Sequence, residues 1–326
     1  MFTMSALLVI CICVIASMVY VYRFRGRVRH ESLSQYLRKS WPIFTPFNCF
    51  LYLFTQPRAR KAVMDIRDFP ELKELQAHWQ VFRDEALALQ QRGLLEAARS
   101  PDSPAYYDVG FRTFFKYGWS KFYLNWYGYN HASAQALCPR SAEILRRFPT
   151  INGAMFSMLP PGSQLTRHSD PIASSLRYHL GLATPNADSC FINVDGQTLS
   201  WRDGEALMFD ETYLHFARND SSQHRLILMC DIERPMSPPG RGFNFFYKQL
   251  VKATVVPNLE GDRRGFASAV FATIAPLLAR SKRLKETHLP LYKLLKYSVN
   301  TLLLAIVAIT VFAGIQLVEE GLSLLL

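Results

Sequence analysis

The chain is 326 residues long, with 37 Lys and Arg against 26 Asp and Glu, a formal net charge of +11 and 49% hydrophobic residues. That length holds one large domain or two small ones, and the six cysteines include no C-x-x-C pair, which argues against zinc or a disulfide framework and fits a reduced compartment. The basic excess admits a nucleic-acid partner, but no helix-turn-helix, zinc-finger or aromatic–basic RNA motif accompanies it, so none is expected.

The hydrophobic excess gathers at the ends. Thr3 to Tyr22 carries no charge, long enough to cross a bilayer core, and lacks a convincing signal-peptide n-region or cleavage site. Residues 1–22 are expected to form an N-terminal transmembrane anchor. Residues 23–105 form a basic juxtamembrane and helical segment. It opens with Arg23, Arg25, Arg27 and Arg29. The stretch 43–54 is too short and too broken by Pro46 to span, and lies in the membrane interface or packs on the domain. From Phe69 to Gln91, Leu72, Leu75, Trp79, Phe82, Ala86 and Leu89 recur at spacings of three and four, predicting a helix with one core-facing stripe.

From Tyr106 short runs of Phe, Tyr, Val and Ile alternate with Gly, Pro, Asn and Asp. Residues 106–249 read as a β-domain with strands at 154–159, 175–182, 190–194, 197–201, 206–209, 215–219 and 225–232, preceded by a helix around 141–147. Many short strands with frequent turns predict a sandwich or jelly roll. Residues 250–297 form a basic and apolar interfacial segment, with 266–278 expected at the membrane or against the domain. Residues 298–318 are a second candidate span. Arg280, Lys282, Arg283, Lys285, Lys293 and Lys296 precede it, and Glu319 and Glu320 follow. Lys and Arg collect on the cytoplasmic side, so both flanks place the middle of the chain in the cytoplasm and both termini outside. The same basic flanks point to anionic lipid as a partner.

The chemistry lies in the β-domain. His168 and Asp170 form an H-x-D pair, and extended backbone points both side chains the same way. His215 is a distant second histidine, and Arg225 follows it by ten residues. Two imidazoles and a carboxylate can occupy one face of an iron(II) ion. An arginine beyond the last histidine can clamp a carboxylate. On strand 175–182, Leu176, Tyr178, Leu180 and Leu182 make the hydrophobic face. Arg177, His179 and Gly181 share the other, which is solvated or lines an anionic pocket. Asp210 and Glu211 either orient His215 or make its turn. Asn219, His224, Trp126 and Tyr127 are weaker pocket candidates.

These blocks, AMFSMLPPG, RHSDP, RYHLGL, FDETYLHFARN and HRLIL, occur in one order between about Tyr106 and Glu233. In that order and spacing the segment resembles the aspartyl/asparaginyl β-hydroxylase family of iron(II)/2-oxoglutarate dioxygenases. With the two terminal spans the chain is similar to the bacterial inner-membrane branch, the lipid A 2-hydroxylases. The resemblance implies a mainly β double-stranded β-helix (jelly roll, cupin-like) with helices, flanked by one transmembrane helix at each end. It implies hydroxylation of C2 on a secondary acyl chain of lipid A, with Fe(II), 2-oxoglutarate and O2. It assigns iron to His168, Asp170 and His215, with Asp170 less firmly because some animal relatives lack that carboxylate. It assigns 2-oxoglutarate to Arg225, with Ser157, His179 and Arg177 as further contacts. The alternatives are hydroxylation of a peptide or another lipid, or a non-catalytic cupin-like metal-binding membrane protein.

Overall fold

Strand alternation builds the centre of the molecule, seen here in a computed structural model. The structure describes residues 2–299 apart from 109 and 112–114, together with 301, 302, 305 and 316; side chains are described from Leu8 onward, 278–283 excepted. The described residues group into two compact units. One is Cys13–Phe271, and the other collects the described parts of Met1–Ile12 and Ala272–Leu326.

Helices α1 (Phe2–Arg23), α2 (Leu33–Lys39) and α3 (Thr45–Phe54) come first, followed by the short strand β1 (Val63–Met64). Next are α4 (Lys73–Ala77), α5 (Trp79–Gln91) and α6 (Leu94–Ala97). The strands β2 (Ser120–Trp126) and β3 (Tyr129–Asn130) precede α7 (Ala132–Leu137) and α8 (Pro139–Arg146). Then come β4 (Ile151–Leu159), β5 (Gln164–His168), β6 (Ser175–Ala183), β7 (Cys190–Val194), β8 (Gln197–Ser200), β9 (Ala206–Phe209), β10 (His215–Asn219) and β11 (Arg225–Glu233). Helices α9 (Pro238–Val251) and α10 (Phe266–Thr287) follow.

The strands form two antiparallel sheets, β1-β9-β6-β11-β4-β2-β3 and β5-β10-β7-β8. In the larger sheet β11 is central and buried on both faces. Leu226, Leu228, Cys230 and Ile232 join Leu176, Tyr178, Leu180 and Leu182 of β6 on the outer face. There they pack on Phe82, Ala86 and Leu89 of α5 and on Ile144 and Leu145 of α8. On the inner face Ile227 and Met229 meet Cys190, Ile192 and Val194 of the smaller sheet. The polar residues Arg225 and Asp231 share that inner face by the same period of two. Burial on both sides explains why β11 reads as the continuous run RLILMCDIE.

The strands expected between 154 and 232 are present, with ends moved by at most three residues. Strands β1, β2, β3 and β5 were not expected. In β2 the polar Ser120, Lys121 and Asn125 interrupt the pattern, yet Ser120 and Lys121 are buried. The expected helix over 69–91 is a 3-10 turn followed by α4 and α5, broken at His78. The break lets Gln76 Nε2 donate to the Gly204 carbonyl at 2.8 Å while the Trp79 ring packs on the same glycine.

The membrane architecture requires correction. This is a mixed helix-and-sheet chain, and among the described residues no helix is long and apolar enough to cross a membrane. Part of α1 is also committed to the domain: Ser17 is buried, and the Tyr22 ring lies 5.1 Å from Tyr36. The arginines read as a membrane flank fold back on protein. Arg25 pairs with Asp210, and Arg29 donates to the carbonyls of Arg23 and Gly26. Helix α10 contains Pro276 and runs into the basic stretch 280–285. The second expected span, 298–318, lies largely outside the described residues. The two-span topology, with a cytoplasmic domain and periplasmic termini, therefore loses its basis.

Gly181 sits where β6 meets the 201–205 loop. A Cβ there would lie 2.0 Å from the Arg202 carbonyl oxygen, a backbone atom. Gly181→Ala is expected to cost about 3 kcal/mol by urea denaturation; a cost below about 0.5 kcal/mol would contradict this packing.

Candidate functional site

The smaller sheet brings His168 and His215 together, with Asp170 two residues beyond β5, and candidate ligand atoms of the three all lie within 4.8 Å of one another. Strand pairing does most of this work. His215 opens β10, His168 closes β5, and the two are register partners with ring centroids 4.3 Å apart. Each imidazole is fixed from behind. His168 Nδ1 lies 2.8 Å from the Thr166 carbonyl and His215 Nδ1 lies 2.9 Å from that of Tyr213. A carbonyl can only accept, so both Nδ1 atoms donate, and each Nε2 is the atom left for a ligand role once it carries no proton.

Asp170 follows β5, with one oxygen 3.3 Å from His168 Nε2 and the other 3.2 Å from Arg177 Nη2. Burial acts to raise its pKa, but His168, His215 and Arg177 outweigh it and hold the carboxyl ionised, well below the usual carboxylate range. Arg177 also bonds Glu211 and lies 3.1 Å from Asp231. Asp231 faces it across the β6–β11 register. Burial pushes Glu211 well above the usual carboxylate range and Asp231 upward, against the pull of Arg177. Arg177 is thus occupied by three carboxylates, one of them the candidate metal ligand.

Arg225 is in the opposite situation. Its side chain is completely buried between the rings of Trp201 and Trp119, at 4.5 and 4.9 Å from their centroids. Nη2 lies 3.3 Å from Ser157 Oγ, while Nε and Nη1 have no hydrogen-bond partner among the described residues. Burial pushes this guanidinium down to about 10. A buried cation without an anion costs several kcal/mol, a cost that an anion entering the pocket would offset. His179 adds to it. Trp201 Nε1 donates to His179 Nδ1 at 3.3 Å, which leaves Nε2 as the protonated donor, unpartnered among the described residues. Burial first, then Arg225 and Arg177, hold the ring neutral, well below the ordinary imidazole value. Ser157, His179 and Arg225 all lie on the inner face of the larger sheet, by the β4–β11 and β11–β6 registers.

The weaker candidates resolve individually. Asp210 lies 2.8 Å from Arg25 and 2.9 Å from Arg234, away from His215. The Glu211 carbonyl accepts from the Asp170 N–H at 2.8 Å, and its carboxyl group shares Arg177 with Asp170. Asn219 ties a turn by donating to the carbonyls of Leu159 and Gln223. His224 is exposed. Trp126 donates to Thr254 Oγ1, and Tyr127 holds a turn at φ 44°. Trp119, Trp201 and Asp231 were not singled out in the sequence. Asp231 had a signal: it lies six residues after Arg225 and so on the same strand face.

Residues 76–235, which hold His168, Asp170, Arg177, His215 and Arg225, match the family model described as Aspartyl/Asparaginyl beta-hydroxylase. A Rhizobium tropici relative, "Ornithine lipid ester-linked acyl 2-hydroxylase", is 31% identical over 46% of this chain and 56% of its own length. Human "Aspartyl/asparaginyl beta-hydroxylase" is 31% identical over 52% of this chain and 22% of its own length. The chain thus spans about half of the first relative and under a quarter of the second. Among solved structures, a Pseudomonas putida prolyl-4-hydroxylase aligns with TM-score 0.33 and 15% identity, covering 49% of this chain and 88% of that one. A cupin domain from an Enterobacter cloacae transcriptional regulator aligns with TM-score 0.22 and 16% identity, covering 26% and 88%.

Arg177→Met is expected to free Asp170 and lower divalent-metal affinity about 10–100-fold; calorimetric titration with an unchanged affinity would contradict the positioning role. Burial and then His168 push His215 from 6.5 down to about 4. Between those values the folded chain binds fewer protons than the unfolded one, so stability of the metal-free protein rises with pH through that window and is lost on acidification. His215→Asn should flatten the difference in urea midpoint between pH 5 and pH 7, and an unaltered difference would argue against a buried neutral His215.

Proposed function

We propose, from the premise that this chain belongs to the aspartyl/asparaginyl β-hydroxylase family across residues 76–235, that it is an iron(II)/2-oxoglutarate-dependent dioxygenase that hydroxylates C2 of a lipid acyl chain, a secondary chain of lipid A being the first candidate. The observation that carries the cosubstrate reading is Arg225, a fully buried guanidinium with two nitrogens lacking hydrogen-bond partners among the described residues. A dicarboxylate supplies the missing anion, and Ser157 and His179 supply neutral donors beside it. Two imidazoles and a carboxylate fit iron(II) and leave further positions open. The lipid reading is supported by the acyl 2-hydroxylase among the relatives, at 31% identity.

Iron(II) with 2-oxoglutarate and O2 would supply the oxidising power needed to break an unactivated C–H bond. The chain's own groups bind, orient and exclude water. His168, Asp170 and His215 would hold the ion, with Nδ1–carbonyl bonds keeping both rings in one tautomer. Arg177 keeps Asp170 ionised and aimed. Arg225 would clamp the far carboxylate of the cosubstrate, its ring walls keeping water from that charge pair. The exposed edge lies at His168 and Asp170, whose side chains are 19% and 25% exposed, against 4% for His215. A substrate carbon would approach there.

Mass spectrometry of lipids from cells with and without the gene tests the reading. Lipid A gaining one oxygen atom only with the intact gene, and with neither His168→Ala nor His215→Ala, is the expected result. A gain confined to ornithine lipid or to peptide Asp or Asn would move the substrate, and no oxygenated product of any class would overturn the function.

A further inference from the structure

Away from the metal-binding edge, α1 and α3 enclose a cleft of about 760 Å³. Ala16 and Ser17 of α1 face Cys49, Phe50 and Leu53 of α3 across it, and Tyr52 and Tyr213 lie at its floor. The volume falls in the range of ligand sites, roughly 300–1,000 Å³. Its walls are largely apolar, and four of the hydroxyls that line it are already used. Ser17 Oγ donates to the Val14 carbonyl at 2.8 Å, Thr55 Oγ1 to the Leu51 carbonyl at 2.7 Å, the Tyr52 hydroxyl to Thr212 Oγ1 at 2.9 Å and the Tyr213 hydroxyl to the Arg60 carbonyl at 3.4 Å. Backbone groups of the two helices are bonded internally. A peptide laid here would therefore lose its own hydrogen bonds, whereas a hydrocarbon chain has none to lose.

The polar lining is not neutral. It holds Arg25, Arg60 and Arg234 against a single carboxylate, Asp210. Asp210 pairs with both Arg25 and Arg234, and Arg25 is stacked between Tyr52 and Tyr213 at 3.8 and 3.7 Å. Arg60 is exposed, gives only its Nε to the Thr55 carbonyl, and has no carboxylate partner among the described residues. An apolar trough ending in uncompensated positive charge matches an amphiphile with an acyl tail and an anionic head. The cleft also adjoins the site. A smaller cavity shares Arg25, Tyr52 and Tyr213 with it and extends to Ser169 and Asp170.

We propose that this cleft seats an acyl chain of an anionic membrane lipid between α1 and α3, with Arg60 holding the anionic headgroup. The seat is distinct from the metal-binding edge, and it positions the lipid for reaction there. It rests on the lipid reading of the site.

Binding of cis-parinaric acid, a fluorescent fatty acid, to the full chain tests it. Wild type binds one equivalent. Ala16→Phe fills the trough and weakens binding about tenfold, and Cys49→Leu weakens it in the same direction. Arg60→Glu weakens the acid about tenfold and its methyl ester hardly at all. Retained 2-oxoglutarate binding identifies folded variants, and if Ala16→Phe fails to fold, Cys49→Leu decides. Affinity within twofold of wild type in a folded trough variant overturns the proposal. So does equal loss of acid and ester in Arg60→Glu. The two readings fail separately: wild type that hydroxylates lipid while trough variants bind and turn over normally sinks the seat alone. A chain that binds parinaric acid in the trough but oxygenates no lipid sinks the proposed substrate alone.

Discussion

The candidate site depends on one buried charge. Arg225 lies at the inner face of the central strand, walled by two indoles, with no carboxylate in reach among the described residues. Such a group opposes folding, because desolvating a guanidinium costs several kcal/mol that an ion pair would otherwise offset. The tryptophan faces return part of that through cation–π attraction, about 2 kcal/mol each at best. The rest is supplied when an anion enters. A pocket that is incomplete in this way favours an anionic ligand of the right reach.

Arg177, one strand away on the same inner face, makes the contrast. It is surrounded by Asp170, Glu211 and Asp231. Two arginines that look equivalent by sequence thus do different work. Arg225 has no carboxylate partner among the described residues, and Arg177 has three. The resemblance alone grouped Arg177 with the cosubstrate contacts, whereas its partners are three acids. The Asp231–Arg177 register is what separates the two roles, and register is a tertiary quantity that periodicity does not contain.

The β-domain was legible because burial on both faces of β6 and β11 forces long hydrophobic runs, with polar residues appearing only where chemistry sits. His168, Asp170, His215 and Arg225 could be named, but their convergence needed the pairing of β5 with β10. Strand β5 itself went unseen, since QLTRH has one buried apolar residue. Strand β2 was hidden by Lys121, whose charge is matched in the core by Asp108, 13 residues earlier. The N-terminal end misled for a physical reason as well. A run of apolar residues is equally consistent with a bilayer span and with a helix that lines a lipid-sized cleft, and composition does not distinguish them. Arg25 decides part of the question: read as a cytoplasmic flank, it is instead locked to Asp210 between two tyrosines.

The most direct test is anaerobic calorimetric titration of 2-oxoglutarate into the iron(II)-loaded protein, wild type against Arg225→Ala. The account predicts one tight equivalent in wild type and affinity lower by about 100-fold in the variant, with iron affinity retained. Equal 2-oxoglutarate affinity in both proteins, or iron lost in parallel with the cosubstrate, would contradict it.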